Sequence, residues 1–72
     1  MTDETPRVLT ERDGRIFHII LNRADKMNAF DVRMLKELAA AVTEYESDDD
    51  LWCAVLAANG EHFTAGLELN EV

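Results

Sequence analysis

Two short apolar segments near the start of the chain predict a β-hairpin. Residues 8–12 are interpreted as a short strand, residues 15–21 are rich in β-branched and aromatic residues, and Asp13-Gly14 between them is a strong turn signal. The second segment is apolar on both faces around His18, so we expect this strand to be largely covered. His18 is accordingly interpreted as a structural strand residue and not as a catalyst.

After a polar connection over residues 22–28, the apolar residues recur at helical spacing. Asp31 is the predicted N-cap, because its carboxylate can accept hydrogen bonds from the first free N–H groups of a helix. One apolar stripe predicts the face that packs into the core. The members of this stripe are Met34, Leu35, Leu38, Ala39, Val42 and Tyr45. The acidic turn over residues 47–50 predicts the end of the helix.

A second continuous apolar run covers residues 51–57. Such runs are typical of strands in parallel sheets that helices cover on both faces. Strand, helix and strand in this order predict a βαβ unit, and Cys53 within the last strand is expected to be a small buried hydrophobe. The sequence supplies one full helix, so we expect the other face of the sheet to lack cover within these residues.

The small size and the single cysteine limit what this unit can do alone. A chain of 72 residues forms one domain with a marginal core, and residues 1–6 are expected to be frayed. One cysteine excludes an internal disulfide, and neither His18 nor His62 has a metal-ligand partner nearby, so no metal site is expected. A lone reduced cysteine without an apolar leader favours a cytoplasmic location.

The charge balance is strongly acidic. Fifteen Asp and Glu oppose seven Lys and Arg, for a formal net charge of −8. Nucleic acids and anionic membranes require clustered basic residues, so we expect neither as a partner. The acidic run at residues 48–50 lacks the glycine and terminal glutamate of a calcium-binding loop, and it is interpreted as a solvated loop.

Two loops, one after each predicted buried strand, are the candidate site. In open α/β sheets, ligands bind beyond the carboxyl ends of the strands. Ala29 precedes the helix that Asp31 caps, and Gly66 precedes residues 67–72, which can begin another helix. N–H groups at such positions are expected to be free and partly positive, so two aimed at one point can stabilise an oxygen anion.

The same two loops carry a family resemblance. The segments LNRADKMNAF (residues 21–30) and FTAGLEL (residues 63–69) resemble, in order and separation, two motifs of the enoyl-CoA hydratase/isomerase (crotonase) family. The hairpin, the amphipathic helix, the acidic turn and the apolar strand fit the same pattern from residue 8 onward. The resemblance implies that residues 1–72 are the N-terminal part of a single domain with a crotonase-like spiral fold, and that this α/β unit is incomplete.

The resemblance also implies roles for individual residues. The N–H groups of Ala29 and Gly66 would form an oxyanion hole for the thioester carbonyl of an acyl-CoA, whose negative charge grows as an enolate forms. Coenzyme A would arrive as part of the substrate, and no separate cofactor is expected. Residues with implied substrate contacts are Lys26, Met27, Asn28, Ala65 and Leu67.

Two departures from the family pattern affect these roles. Ala24 stands where the family usually has proline, which loosens the first loop slightly. Glu68 stands where the second motif usually has aspartate; an acid there belongs to the active site in some isomerase relatives, so Glu68 is a candidate catalytic residue, with a helix-start role as the alternative. Arg23 or Lys26 is a candidate partner for a CoA phosphate, with a solvated surface cation as the alternative.

Two functional hypotheses remain open at this point. The first is that the chain is part of an enoyl-CoA hydratase or isomerase of fatty acid metabolism, whose acid/base carboxylates are expected beyond Val72. The chain alone is then expected to be inactive. The full-length parent is expected to be a trimer or hexamer. The second is a short non-catalytic protein that covers its bare sheet by self-association or by pairing with a longer relative. The lack of a capping residue near Val72 favours the first. The acyl chain and the reaction type stay open.

Overall fold

The computed structural model describes residues 5–67. This part of the chain contains three strands and one α-helix. In chain order they are β1 (Val8–Asp13), β2 (Ile16–Leu21), α1 (Val32–Glu46) and β3 (Cys53–Ala58), with a single 3₁₀ turn at Ala24–Lys26. The sheet has the order β1-β2-β3; β1 is antiparallel to β2, and β3 is parallel to it. The predicted hairpin and βαβ unit are therefore confirmed. No helix in residues 5–67 is long and apolar enough to span a membrane.

The hairpin turns one residue later than the sequence predicts. Asp13 still pairs with Ile16, so the two turn residues are Gly14 and Arg15, and Asp13 belongs to β1. Gly14 has a φ of +60°, and Arg15 is not among the described residues with positive φ. A positive φ at the first turn position alone is typical of a type II′ turn, which favours glycine at that position and follows the twist of the two strands.

The core lies between α1 and one face of the sheet. Phe17, Ile19 and Leu21 alternate along β2 and are 2%, 5% and 1% exposed, because every second side chain of a strand points to the same face. The Phe17 ring stacks on Tyr45 of α1 with centroids 6.3 Å apart. The buried hydrophobic residues of the core are Val8, Phe17, Ile19, Leu21, Met34, Ala41 and Leu51.

The helix face that packs into the core is rotated from the predicted stripe. Three predicted members, Leu35, Ala39 and Val42, are exposed, and Ala41, which the prediction omitted, is buried. The predicted stripe joined two neighbouring rows of apolar residues, but one sheet face can contact only one row. The row in contact with the sheet is Met34, Leu38, Ala41 and Tyr45.

Both ends of α1 lie where the sequence predicts. The Asp31 carboxylate accepts a hydrogen bond from the Met34 N–H at 2.8 Å, so it caps the first turn. The helix ends at Glu46, and the N–H of Ser47 donates to the Thr43 carbonyl at 3.1 Å. Polar residues therefore mark where the helix begins and ends.

Strand β3 is exposed on both faces within residues 5–67. Val55 and Leu56 point to opposite faces and are 42% and 48% exposed. Cys53 is exposed as well, so the expectation of a buried cysteine is wrong for this part of the chain. β2 is covered on the helix side only, since Ile16 is exposed and His18 is half-buried. The predicted lack of cover is confirmed, and it extends to the helix side of β3.

Candidate functional site

The loops that follow β2 and β3 lie side by side at the carboxyl ends of these parallel strands. We define the first loop as residues 22–31 and the second loop as residues 59–67. The Phe30 N–H donates to the Gly66 carbonyl at 2.8 Å, and the Ala65 N–H donates to the Met27 carbonyl at 2.9 Å. Phe30 and Leu67 form a parallel bridge, which places Ala29 and Gly66 in adjacent register. The two candidate loops thus form one unit.

Asn28 is the residue at which the two loops converge. It is fully buried, at 0% exposure. Its side-chain oxygen accepts the Arg23 N–H at 2.7 Å, and its side-chain nitrogen donates to the carbonyls of Asn59 and His62 at 2.7 and 2.8 Å. These polar atoms are all engaged inside the chain, so the substrate contact predicted for Asn28 does not fit its side chain. The structure gives this side chain an internal bonding role instead.

The backbone of Asn28 adds to this role. Its φ is +54°, in the left-handed region that asparagine adopts more readily than most residues, and the neighbouring Met27 has a φ of +53°. Its N–H donates to the Arg23 carbonyl at 2.8 Å. The carbonyl of Asn28 accepts the Thr64 hydroxyl at 2.7 Å. One buried residue therefore bonds to the start of the first loop and to three residues of the second.

Gly66 carries the donor of the second loop. Its N–H donates to the Thr64 Oγ1 at 3.0 Å, so the same hydroxyl joins Gly66 to the Asn28 carbonyl. The φ of Gly66 is +92°, and an added Cβ would meet nothing within 4 Å. The glycine is therefore required by its backbone angle and not by crowding.

The predicted pair of free N–H groups is not free in the structure. The Ala29 N–H donates to the Lys26 carbonyl at 3.0 Å, and the Gly66 N–H donates to the Thr64 hydroxyl. The two donors differ in how easily they can be redirected. The Thr64 side chain can turn its oxygen away from Gly66 by rotating about the Cα–Cβ bond, whereas the Lys26 carbonyl is fixed in the chain, so a ligand oxygen can only share the Ala29 N–H in a three-centre bond.

Arg23 is a largely buried cation that stabilises the first loop. One guanidinium nitrogen donates to the Ala29 carbonyl at 2.8 Å, and another lies 3.5 Å from the Asp31 carboxylate. Arg7 forms an ion pair with the same carboxylate oxygen. Two guanidinium groups thus neutralise the buried Asp31 while it caps α1. The Arg23 side chain is 11% exposed, so it is a poor candidate for the predicted phosphate contact.

Lys26 remains a candidate for the predicted contact with a phosphate of coenzyme A. It lies on a cleft of about 570 Å³ between the first loop and the segment that includes Thr5 and Arg7. Lys26 is exposed, and no ion pair involves it within residues 5–67. Its ammonium group is therefore available to an anion. In the same described part of the chain, no group of three His, Cys, Asp or Glu side chains is placed to hold a metal ion.

The remaining predicted contact residues lie on the outer surface of the paired loops. Met27 and Leu67 are 49% and 56% exposed, and Ala65 is exposed beside them. With Phe63, which is 53% exposed, they give the loops an apolar rim. Glu68 and the predicted helix start after Leu67 lie outside the described residues.

Sequence reasoning missed the internal contacts of this site. It did not identify Asn28 as the shared hydrogen-bonding residue, nor Thr64 as the bridge to Gly66. It also missed Gly60, where an added Cβ would lie 2.8 Å from the Cβ of Ala24, so glycine permits the close approach of the two loops. The Asn59-Gly60 turn and the left-handed tendency of asparagine are signals that could have indicated these contacts.

Comparisons with known proteins point to one family. A family model described as enoyl-CoA hydratase/isomerase matches residues 11–72. A probable enoyl-CoA hydratase of Mycobacterium tuberculosis is 35% identical over 72 residues, which are 100% of this chain and 27% of that protein. The 1,2-epoxyphenylacetyl-CoA isomerase of Escherichia coli is 31% identical over 64 residues, or 89% of this chain and 24% of the isomerase.

Solved structures give the same result. A probable enoyl-CoA hydratase/isomerase from Mycobacterium abscessus superposes with a TM-score of 0.87 at 35% identity, covering 92% of this chain and 26% of that chain. A probable enoyl-CoA hydratase from Mycobacterium thermoresistibile gives a TM-score of 0.86 at 39% identity, covering 92% and 28%. The chain thus spans about a quarter of the length of the relatives it matches.

Proposed function

The chain belongs to the enoyl-CoA hydratase/isomerase family, and from this premise we propose that its paired loops bind and polarise the thioester carbonyl of an acyl-CoA. The predicted fold class, the hairpin and βαβ portion of a crotonase-like fold, is confirmed by the solved relatives. In this function coenzyme A is part of the substrate, and no separate cofactor takes part in polarising the carbonyl.

The observation that carries the proposal is the locked register of the two loops around Gly66. The carbonyl oxygen of the thioester takes the place of the Thr64 hydroxyl as acceptor of the Gly66 N–H. Thr64 then gives up its bond to the Asn28 carbonyl, but the loops stay joined through the Asn28 side chain and through the backbone bonds between them. Ala29 in adjacent register contributes by sharing its N–H, and it is the weaker donor of the two.

The reaction is accelerated by a hydrogen-bond donor that is in place before negative charge develops on the carbonyl oxygen. Removing a proton beside a thioester, or adding water to a conjugated alkene, moves negative charge onto the carbonyl oxygen. A preorganised N–H at that oxygen lowers the barrier by roughly 3–4 kcal/mol. Backbone donors at alanine and glycine add no bulky side chain that would crowd the carbonyl.

The remainder of the acyl-CoA lies along the surface of the loops. The exposed side chains of Met27 and Leu67 offer apolar contact to the pantetheine arm, and Ala65, whose N–H donates to the Met27 carbonyl, lies beside Met27. Lys26 attracts a phosphate of coenzyme A from the edge of the cleft. Arg23 acts indirectly, because its bond to the Ala29 carbonyl holds the first loop in shape.

The whole protein is proposed to catalyse hydration or isomerisation of enoyl-CoA in the fatty acid metabolism of the cytoplasm, as a trimer or hexamer. Polarising a carbonyl does not complete either reaction, because a proton must also be moved by an acid or base. We expect the 72-residue chain to bind acyl-CoA without turning it over. Release of hydrated product from crotonyl-CoA by this chain would contradict the expectation of binding without turnover.

A binding comparison tests the carbonyl site. Butyryl-CoA has the carbonyl, and S-butyl-CoA lacks it. We expect the 72-residue chain to bind butyryl-CoA roughly 2- to 10-fold more tightly in calorimetry, the net value of one hydrogen bond. Equal affinities would contradict the proposal.

Two glycines provide a matched pair of variants for this test. Gly66 and Gly14 both have positive φ, and an added Cβ at either meets nothing within 4 Å. Gly66→Ala strains the donor and is expected to abolish the preference for butyryl-CoA. Gly14→Ala places the same strain in the distant hairpin turn, and it is expected to keep the preference. Loss of the preference in both variants would indicate general destabilisation instead.

A second candidate function, association without catalysis, is favoured by the exposure of β3. Val55, Leu56 and Trp52 are 42%, 48% and 74% exposed, and burial of such surface stabilises association. In this case the chain pairs with itself or with a longer relative of the family. Sedimentation equilibrium tests self-pairing: a monomer throughout the accessible concentration range excludes it, and a dimer supports it.

A further inference from the structure

We infer that Asn28 is a positioning residue of the carbonyl site, which sets where the Gly66 N–H points without touching the substrate. This inference rests on the proposed function. It concerns the connection between a fully buried side chain and an exposed donor in the next loop. In the ligand-free chain the connection runs from the Asn28 carbonyl through the Thr64 hydroxyl to the Gly66 N–H. When a ligand oxygen replaces that hydroxyl, the Asn28 side chain still holds both loops through its bonds to Arg23, Asn59 and His62.

Asn28 fixes both loops at their starts as well as at the donor. Its side-chain oxygen holds the N–H of Arg23, where the first loop leaves β2. Its side-chain nitrogen holds the carbonyls of Asn59 and His62, where the second loop leaves β3. A shift of either loop would break at least one of these bonds, so the Asn28 side chain holds Gly66 relative to Ala29 together with the backbone bonds between the loops.

Asparagine meets chemical requirements at this position that close analogues fail to meet. The site needs one acceptor and two donors in a single short side chain, on a backbone with positive φ. Aspartate offers no donors, and it would set a carboxylate oxygen against the carbonyls of Asn59 and His62. Glycine adopts the backbone angle readily but supplies none of the three hydrogen bonds.

The variants Asn28→Asp and Asn28→Gly test whether Asn28 positions the Gly66 N–H or contributes to the affinity for butyryl-CoA. The readout is butyryl-CoA labelled with carbon-13 at its carbonyl, whose resonance moves downfield on binding in proportion to the polarisation of the carbonyl. We expect both variants to bind butyryl-CoA within a few-fold of the native affinity, because the surface contacts remain. We expect the downfield shift to fall to less than half of the native value, since the donor is no longer aimed.

Asn22→Asp is the matched control. Asn22 lies in the same loop. Its side-chain nitrogen donates to the Pro6 carbonyl at 2.9 Å, and its side-chain oxygen accepts from the Asn59 side chain at 2.9 Å, a bond that an aspartate oxygen can keep. The same change of amide to carboxylate at this position is expected to leave the carbon-13 shift as in the native chain. A native-size shift in folded Asn28→Asp would overturn the inference.

A measurement on the native chain covers the case in which the Asn28 variants do not fold. The side-chain amide resonances of Asn28 are followed while butyryl-CoA is added. A positioning residue keeps slow hydrogen exchange and nearly constant resonances, while the Gly66 amide moves. A shift at the Asn28 side chain as large as that at Gly66 would indicate direct contact and overturn the inference. If the native chain shows no carbonyl shift at all, the proposed function fails, and this outcome is distinct from failure of the positioning role.

Discussion

The paired loops and strand β3 are neighbours in the fold, but within residues 5–67 the buried polar groups of the loops have hydrogen-bond partners, whereas the apolar side chains of β3 are left exposed. Within residues 5–67 every buried side-chain nitrogen and oxygen has a hydrogen-bond partner, and Asn28 at the centre of the loops has three. In β3, by contrast, Val55 and Leu56 remain 42% and 48% exposed. Hydrogen bonds can be satisfied by a few well-placed residues, whereas burial of apolar surface requires whole layers of structure.

This contrast between bonded loops and an exposed strand shows that the geometry of the site and the stability of the fold depend on different interactions. The loops hold Gly66 through bonds that arise between residues 22–31 and 59–67. The core that supports them covers one face of β2 and little of β3. The site can therefore be in place on a unit that is only marginally stable.

The largest effect is expected where the sheet is covered. Leu21 is 1% exposed, and Leu21→Ala should cost about 2–5 kcal/mol of the free energy of unfolding. This loss is comparable with the roughly 3–5 kcal/mol that a core of this size supplies. Circular dichroism with urea should show a largely unfolded variant. A fully folded Leu21→Ala chain would contradict a core built on one face of β2.

A smaller loss is expected at the junction of the loops with α1. Asp31→Ala removes the helix cap and leaves Arg7 and Arg23 without their shared carboxylate, at a cost of roughly 1–3 kcal/mol. Asp31→Asn keeps an oxygen for the cap and should cost less. Urea titrations of both variants measure these costs. Equal losses would show that the charge, and not the cap, is what Asp31 contributes.

A loss near zero is expected on the uncovered strand. Leu56→Ala makes the same chemical change as Leu21→Ala, but at a side chain that is 48% exposed. The cost should be less than about 0.5 kcal/mol in the same urea titration. A loss above about 2 kcal/mol would show that β3 is covered in solution, because such a value requires a buried leucine.

The smallest effect is a pH dependence far from the loops. The Asp50 N–H and then Arg12, which bond to the Asp48 carboxylate at 3.0 and 2.5 Å, lower the pKa of that group. Because the pKa is lower in the folded than in the unfolded chain, the stabilisation is present above about pH 4 and is lost as the pH falls through the folded value. Urea titrations of native and Asp48→Asn chains should converge in this acidic range. A stability difference that grows towards acidic pH would contradict the assigned direction.

The sequence predicted the elements that depend on local signals better than it predicted which residues are buried. Local signals were sufficient for the hairpin and the Asp31 cap, because each depends on a few neighbouring residues. The parallel pairing of β3 with β2 followed from the order of strand, helix and strand. The stripe on α1 was placed too broadly, since periodicity does not tell which of two adjacent apolar rows meets a sheet. The exposure of Cys53 depends on which layers cover β3, and no local sequence pattern reveals this.

The candidate site was predicted only as far as its location. The strand ends and the resemblance indicated the loops, and the structure brings Ala29 and Gly66 into adjacent register. The expectation of free N–H groups failed, because the Lys26 carbonyl and the Thr64 hydroxyl already accept them. The role of Asn28 depends on contacts across more than thirty residues of sequence, with residues 59 and 62, and only the folded chain reveals them.

The amide of Gly66 offers the most direct test of the proposed function. In a nitrogen-15-labelled 72-residue chain, its proton resonance is followed while butyryl-CoA or S-butyl-CoA is added. The proposal predicts a downfield shift with butyryl-CoA, because the thioester oxygen replaces the Thr64 hydroxyl as acceptor, and a much smaller shift with S-butyl-CoA. Equal shifts with both ligands, or no shift of Gly66 while other loop amides move, would contradict a carbonyl site at this donor.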